Sequence, residues 1–196
     1  QHLLALDRHA NIEVRLFNPF CCGRSSLVSK YVASLGEFGR LNHRMHNKSM
    51  TFDNQATIVG GRNIGDEYFD ARGDMNYNDL ELFAVGPVVQ EVSQEFDTYW
   101  NSAVVVPIQA LVGSPPPQDL ERLRAFLTAR GDEARRSTYK AAFESSLSEL
   151  FAFREGDLQW APWALVYDPP EKAQAGFARH AEQVNAQLRP IADSAE

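Results

Sequence analysis

A tight turn inside residues 44–65 limits what this chain can become. Asp53-Asn54 sits between two short stretches of alternating apolar side chains, the pattern of a β-hairpin. The first stretch carries His46-x-Lys48, two residues apart, which predicts a shared face on one strand. The second stretch, Gln55 to Val59, runs back beside it and ends in Gly60-Gly61, followed by Arg62-Asn63. Paired glycines let backbone approach a ligand closely, although a tight turn accounts for them equally well. Such a hairpin gathers an imidazole, an ammonium and a carboxamide. The imidazole of His46 can act as a nucleophile. Lys48 can hold a phosphoryl oxygen as a point charge, and Asn63 can donate to another.

The charge distribution suits a phosphate-bearing substrate. The net charge is −7, yet residues 1–65 carry eight Lys/Arg against four Asp/Glu, while the rest carries eleven against twenty-two. The basic part holds the hairpin, and a local positive field favours an anionic partner. Chance variation in solvated surface charge is the plainer account of the same numbers. Hydrophobic residues make up 44% and charged residues 23%, which places the chain among globular proteins rather than disordered ones. Cys21 and Cys22 are adjacent, so they are badly placed to bridge each other. No zinc-type cysteine spacing is present. A reducing compartment fits this usage best. No run reaches the ~20 apolar residues of a membrane span, and no signal peptide is visible.

Around the hairpin, the pattern predicts a helix end in residues 1–10 and a strand over Ile12–Leu16. A short helix is expected from Leu27 to Phe38. Residues 64–78 read as a loop or helical turn, with Asp66 and Glu67 on a solvated rim. Asp79–Val85 predicts a strand, closed by Gly86-Pro87. A helix follows, with Val88, Val92, Phe96 and Tyr99 or Trp100 as its apolar stripe. Pro107 divides the apolar run 103–112. Helices are predicted over Gln118–Arg130, ending at Gly131, and over Glu133–Phe153. Trp160–Tyr167 reads as a strand, and 177–189 as a terminal helix. Two parts are expected: 1–112 with the hairpin, and 113–196. The fold class is α/β, a mixed β-sheet flanked by helices.

The run His46-x-Lys48, Asp53, Gly60-Gly61-x-Asn63 resembles the HxKxxxxDxxxxxxG(G/S)xN signature of the phospholipase D superfamily, matching it without a gap. Gly61 stands where many members have serine. The wider wording, LNHRMHNKSMTFD and VGGRNIGDEYFD, is similar to the bacterial cardiolipin synthase branch, nearest to its type C members. The phrase ALVYDPPEK resembles the segment before the second half of those enzymes. His43 has no place in the signature and reads as an ordinary polar residue.

The resemblance implies phosphatidyl transfer that forms cardiolipin through a phosphohistidine, with no cofactor and no metal. It implies His46, Lys48, Asp53, Asn63 and Asp79 as the catalytic set, and Lys48, Gly60, Gly61 and Asn63 as the substrate-binding set. Within it, Asp53 is mainly a structural residue at the strand turn, and Asp79 orients the nucleophilic histidine. Partners would be phospholipids such as phosphatidylglycerol or phosphatidylethanolamine, on the cytoplasmic side of the bacterial inner membrane, with no nucleic acid. Members carry two motif copies, and this sequence holds one. It therefore reads as a fragment whose site is completed by a second half, in the parent chain or across a dimer. The alternatives are a phospholipase D or nuclease-type phosphodiesterase, and an inactive domain that binds phospholipid or a partner.

Overall fold

A computed structural model describes residues 1–19, 44–69, 74–136, 157–173 and 188. The expected helices over 27–38 and 177–189, most of that over 133–153, Cys21, Cys22 and His43 lie outside the described residues. The chain divides into two compact units, Gln1–Val14 with Pro107–Pro162, and Arg15–Val106 with Trp163–Glu196.

In the first unit, α1 (His2–Leu6) packs on α4 (Gln118–Arg135). Between them α3 (Ile108–Val112) follows Pro107, the residue that splits the apolar run. Among the described residues, Ala5, Ile108 and Leu123 are buried apolar side chains of this unit, and the His2 ring lies 4.9 Å from that of Phe126. The Asp7 carboxylate accepts from the Val14 N–H and from Gln109 Nε2, both at 2.6 Å. With its N–H taken by Asp7, Val14 does not enter a strand, so the strand expected at Ile12 begins only at Arg15. Helix α4 runs past Gly131 rather than ending there. The ion pair Arg130–Glu133 at 2.7 Å spans the glycine at helical spacing, and Arg135–Asp132 at 3.3 Å supports the turn that follows it.

The second unit holds the motif. Strands β2 (Ser49–Phe52), β3 (Ala56–Gly60) and β4 (Glu81–Val85) form an antiparallel sheet in that order. The sheet expected as mixed is antiparallel throughout these three strands. Strands β1 (Arg15–Phe17) and β5 (Val105–Pro107) make a separate pair. Register sets Met50, Ile58 and Phe83 in one row and Thr51, Thr57 and Ala84 in the next, and adjacent rows face opposite sides. Thr57 is fully buried, and its hydroxyl meets that of Thr51 at 2.9 Å.

Helix α2 (Val88–Trp100) packs across all three strands. Gly86 has φ 90°, a conformation that glycine tolerates, and Pro87 opens the helix. The buried stripe is Val89, Val92, Glu95 and Tyr99, not the expected one through Phe96. Phe96 stays half exposed and stacks on Trp100 at 5.5 Å. The helix grips the hairpin at its turn, where the Ser93 hydroxyl donates to Asn54 Oδ1 at 2.7 Å. Residues 160–167 form no strand. They pass Pro162, which lacks a ladder donor, and lead to a 3-10 turn at Pro170–Ala173.

Candidate active site

The hairpin turn has the chemistry its residues require. Asp53 and Asn54 adopt φ 49° and 55°, left-handed values that Asp and Asn tolerate better than most side chains. The Gln55 N–H closes the turn on the Phe52 carbonyl at 2.9 Å. Asp53 is exposed at this tip. Five residues of extended chain, about 16 Å, separate it from Lys48, so the carboxylate and the HxK pair stand at opposite ends of the hairpin.

His46 and Lys48 were expected on a strand, but β2 starts at Ser49. They occupy the segment just before it. The ladder reaches one residue further, through the Gly60 N–H donating to the Lys48 carbonyl at 3.2 Å. Beyond that bond, no strand among the described residues continues the pairing. Lys48 Nζ donates to the His46 carbonyl at 2.8 Å. His46 is exposed, and among the described residues its ring makes no hydrogen bond.

The glycine pair is demanded by the start of β4. A Cβ at Gly60 would fall 2.7 Å from the Leu80 carbonyl oxygen, and one at Gly61 would fall 2.5 Å from Asp79 Oδ1. Asp79 is thereby packed beside the motif, its Oδ1 accepting from the Leu80 N–H at 2.8 Å. No hydrogen bond joins Asp79 to His46 among the described residues. Asn63 Nδ2 donates to the Tyr68 hydroxyl at 2.9 Å. Arg62 donates to the Tyr68 carbonyl and pairs with Glu81 at 2.8 Å. Tyr68 belongs to a 3-10 turn, Asp66–Tyr68, and its ring lies 5.2 Å from that of Tyr77. The structure thus gathers Lys48, Gly60, Gly61 and Asp79 at one end of the sheet, with Asn63 extending from it and His46 two residues from Lys48.

One residue next to this end escapes sequence reasoning. Glu95 is buried on α2, and its Oε1 accepts from Asn47 Nδ2 at 2.6 Å. Burial raises its carboxyl above the ordinary value, and the Asn47 bond pulls the other way. Tyr99, one turn on, donates its hydroxyl to the Asp168 carbonyl. Burial raises this hydroxyl too, with Glu95 and Asp168 adding to the effect. The available signal was spacing: Val89, Val92 and Tyr99 share a helical face with position 95. A glutamate there normally argues for the solvent side. Among the described residues, no group of three or more His, Cys, Asp or Glu is disposed to hold a metal ion.

Comparison with known proteins adds what the geometry lacks. Cardiolipin synthase C of Escherichia coli (strain K12) is 39% identical over 182 residues, covering 91% of this chain and 37% of that protein. The chain is distantly homologous to the cardiolipin synthases. It spans little more than a third of the length of that synthase. A cardiolipin synthase of Staphylococcus aureus (strain Mu50) is 39% identical over 64 residues, 32% of this chain and 13% of the relative. An uncharacterized protein of Helicobacter pylori (strain J99) is 39% identical over 109 residues, 56% of this chain and 21% of the relative. No family model and no solved structure matches the chain. The cardiolipin synthase link is therefore one of family, carried by sequence.

Proposed function

We infer that residues 44–63 are half of a phosphatidyltransferase site of the phospholipase D type, working in cardiolipin formation. The observation that carries this reading is the Gly60–Lys48 backbone bond, which brings the HxK segment abreast of the glycine pair. One phosphate could then meet the His46 ring, the Lys48 ammonium and the Asn63 amide.

A phosphodiester resists attack because its anionic oxygens repel nucleophiles, so cationic and N–H cover must come first. A ring nitrogen of His46 attacks phosphorus, forming a P–N bond while the P–O bond to the leaving alcohol breaks. That alcohol takes a proton from an acid in the second half-site. The alcohol of a second phospholipid then attacks phosphorus, gives its proton back to that group, and releases the imidazole. Lys48 and Asn63 stabilise the oxygens in both steps, while Asp53 serves the turn. Asp79, held against Gly61, is the candidate for orienting the imidazole once substrate is bound. The site would face phosphatidylglycerol or phosphatidylethanolamine at the inner surface of a bacterial membrane, bound peripherally. Among the described residues, no helix is long and apolar enough to cross one.

The test is to trap the intermediate. The chain is supplied with a second HxK-bearing half and labelled phosphatidylglycerol, and the acid-labile label is located by mass spectrometry. Label on His46, lost in His46→Asn, is the expected result. Label that stays on the partner half in His46→Asn would overturn the assignment, even if cardiolipin still formed.

A further inference from the structure

The HxK segment raises a mechanical question. His46 and Lys48 lie ahead of the sheet, and among the described residues there is one ladder bond, accepted by the Lys48 carbonyl, and none at His46. Such a stretch would ordinarily be free to turn about its own axis. Turning it would exchange the sides on which successive residues point. The residue between the pair prevents this. Asn47 donates its amide to a carboxylate that is only 6% exposed and belongs to α2, 48 positions along the chain.

We propose that Glu95 is a positioning residue: by holding Asn47, it fixes the direction in which His46 and Lys48 leave the backbone, so that both address one phosphate. This rests on the phosphate reading given above. Three features make the hold effective. The bond is short, at 2.6 Å, as hydrogen bonds to carboxylates are. Its acceptor is buried, so water cannot easily take the place of Asn47 on that carboxylate. Its acceptor sits on the helix that also grips the hairpin turn through Ser93 and Asn54. A carboxyl oxygen accepts the Asn47 proton whether Glu95 is ionised or not, so the hold does not need the charge. An aliphatic side chain of like size would satisfy burial, yet would leave the Asn47 amide without its acceptor.

The experiment uses the whole 196-residue chain with 15N-labelled histidine and backbone. The His46 ring resonance is assigned by its loss in His46→Asn. Two quantities are read: hydrogen exchange at the Gly60 amide, which donates to the Lys48 carbonyl, relative to Thr57, and the displacement of the His46 ring resonance by inorganic phosphate. Glu95→Leu and Asn47→Ala should speed exchange at Gly60 while Thr57 keeps its protection. They should weaken phosphate binding by up to about tenfold, the size expected for one hydrogen bond. Glu95→Gln, which keeps an acceptor oxygen, should restore both. Wild-type exchange and affinity in Glu95→Leu would overturn the proposal. So would exchange raised equally at Thr57, which would mark a purely structural role. If wild-type His46 ignores phosphate while exchange behaves as stated, the phosphate reading falls and the hold on the segment stands. If Glu95→Leu does not fold, Asn47→Ala, whose side chain is only part-buried, decides on the same two quantities.

Discussion

The Asp79 carboxylate occupies the space that a side chain at Gly61 would need, its Oδ1 only 2.5 Å from where a Cβ would lie. The two positions are therefore coupled. Gly61→Ala should force Asp79 to rotate and give up its bond to the Leu80 N–H, at a cost of about 1–3 kcal/mol. In an Asp79→Ala background the obstruction is gone, and the same substitution should cost at least ~1 kcal/mol less. Urea denaturation of the four proteins measures this, and strictly additive effects would disprove the coupling.

Asp53 should matter to folding through its backbone conformation rather than its charge. Asp53→Asn and Asp53→Gly both tolerate positive φ and should change stability by less than ~1 kcal/mol. Asp53→Val should cost about 1–2 kcal/mol or more, because left-handed backbone is strained for a branched side chain. Thermal melts would show the contrast. Equal losses for Asn and Val would mean that the carboxylate itself is needed.

Glu95 should leave a signature in the pH dependence of stability. Its carboxyl is raised above 4.5 in the folded chain, mainly by burial. The folded state therefore holds this proton at pH values where the unfolded chain has lost it, and stability falls as pH rises through that interval. The contribution is fully present below the unfolded value and lost above the raised folded one. Subtracting the Glu95→Gln curve from the wild-type curve isolates it. A difference that is flat from pH 4 upward, or that rises, would contradict the assignment.

Asn63 is held by the Tyr68 hydroxyl in this structure. Removing that oxygen in Tyr68→Phe should leave stability within ~0.5 kcal/mol, since the bond is exposed. The Asn63 side-chain amide resonances should move toward those of a solvated carboxamide. Unchanged resonances would show that the bond is not maintained in solution.

A chain with one HxK pair should be a poor catalyst by itself. As a dilute monomer, it should transfer phosphatidyl groups far more slowly than when a second half is supplied, because the leaving alcohol then lacks its acid. Equal turnover in the two samples would remove the case for a divided site.

The hairpin and the α2 helix were legible because their signals are local. Asp53-Asn54 is turn chemistry, and Gly86-Pro87 is punctuation. Glu95 was not legible, since two stripes compete on α2 and the apolar pattern favours the one through Phe96. Only the packing of the helix on the sheet decides between them. His46 and Lys48 were recognisable as a pair, yet the strand expected to carry them begins only at Ser49, and a long-range bond from Asn47 holds the segment before it. Strand signals also misled at Ile12 and Trp160, where a side-chain acceptor and a proline divert the backbone from pairing.

Among the described residues, helix α2 hydrogen-bonds the hairpin and the segment before it through two side chains, Ser93 at the turn and Glu95 at the base. The two anchors are separated by a single residue, so their angular offset is set by the helical repeat alone. One inserted residue between them would swing one anchor by about 100° relative to the other, and either the turn or the HxK segment would lose its grip. The geometry thus leaves the exposed side chain at position 94 free to change, but fixes the length of the helix at this point.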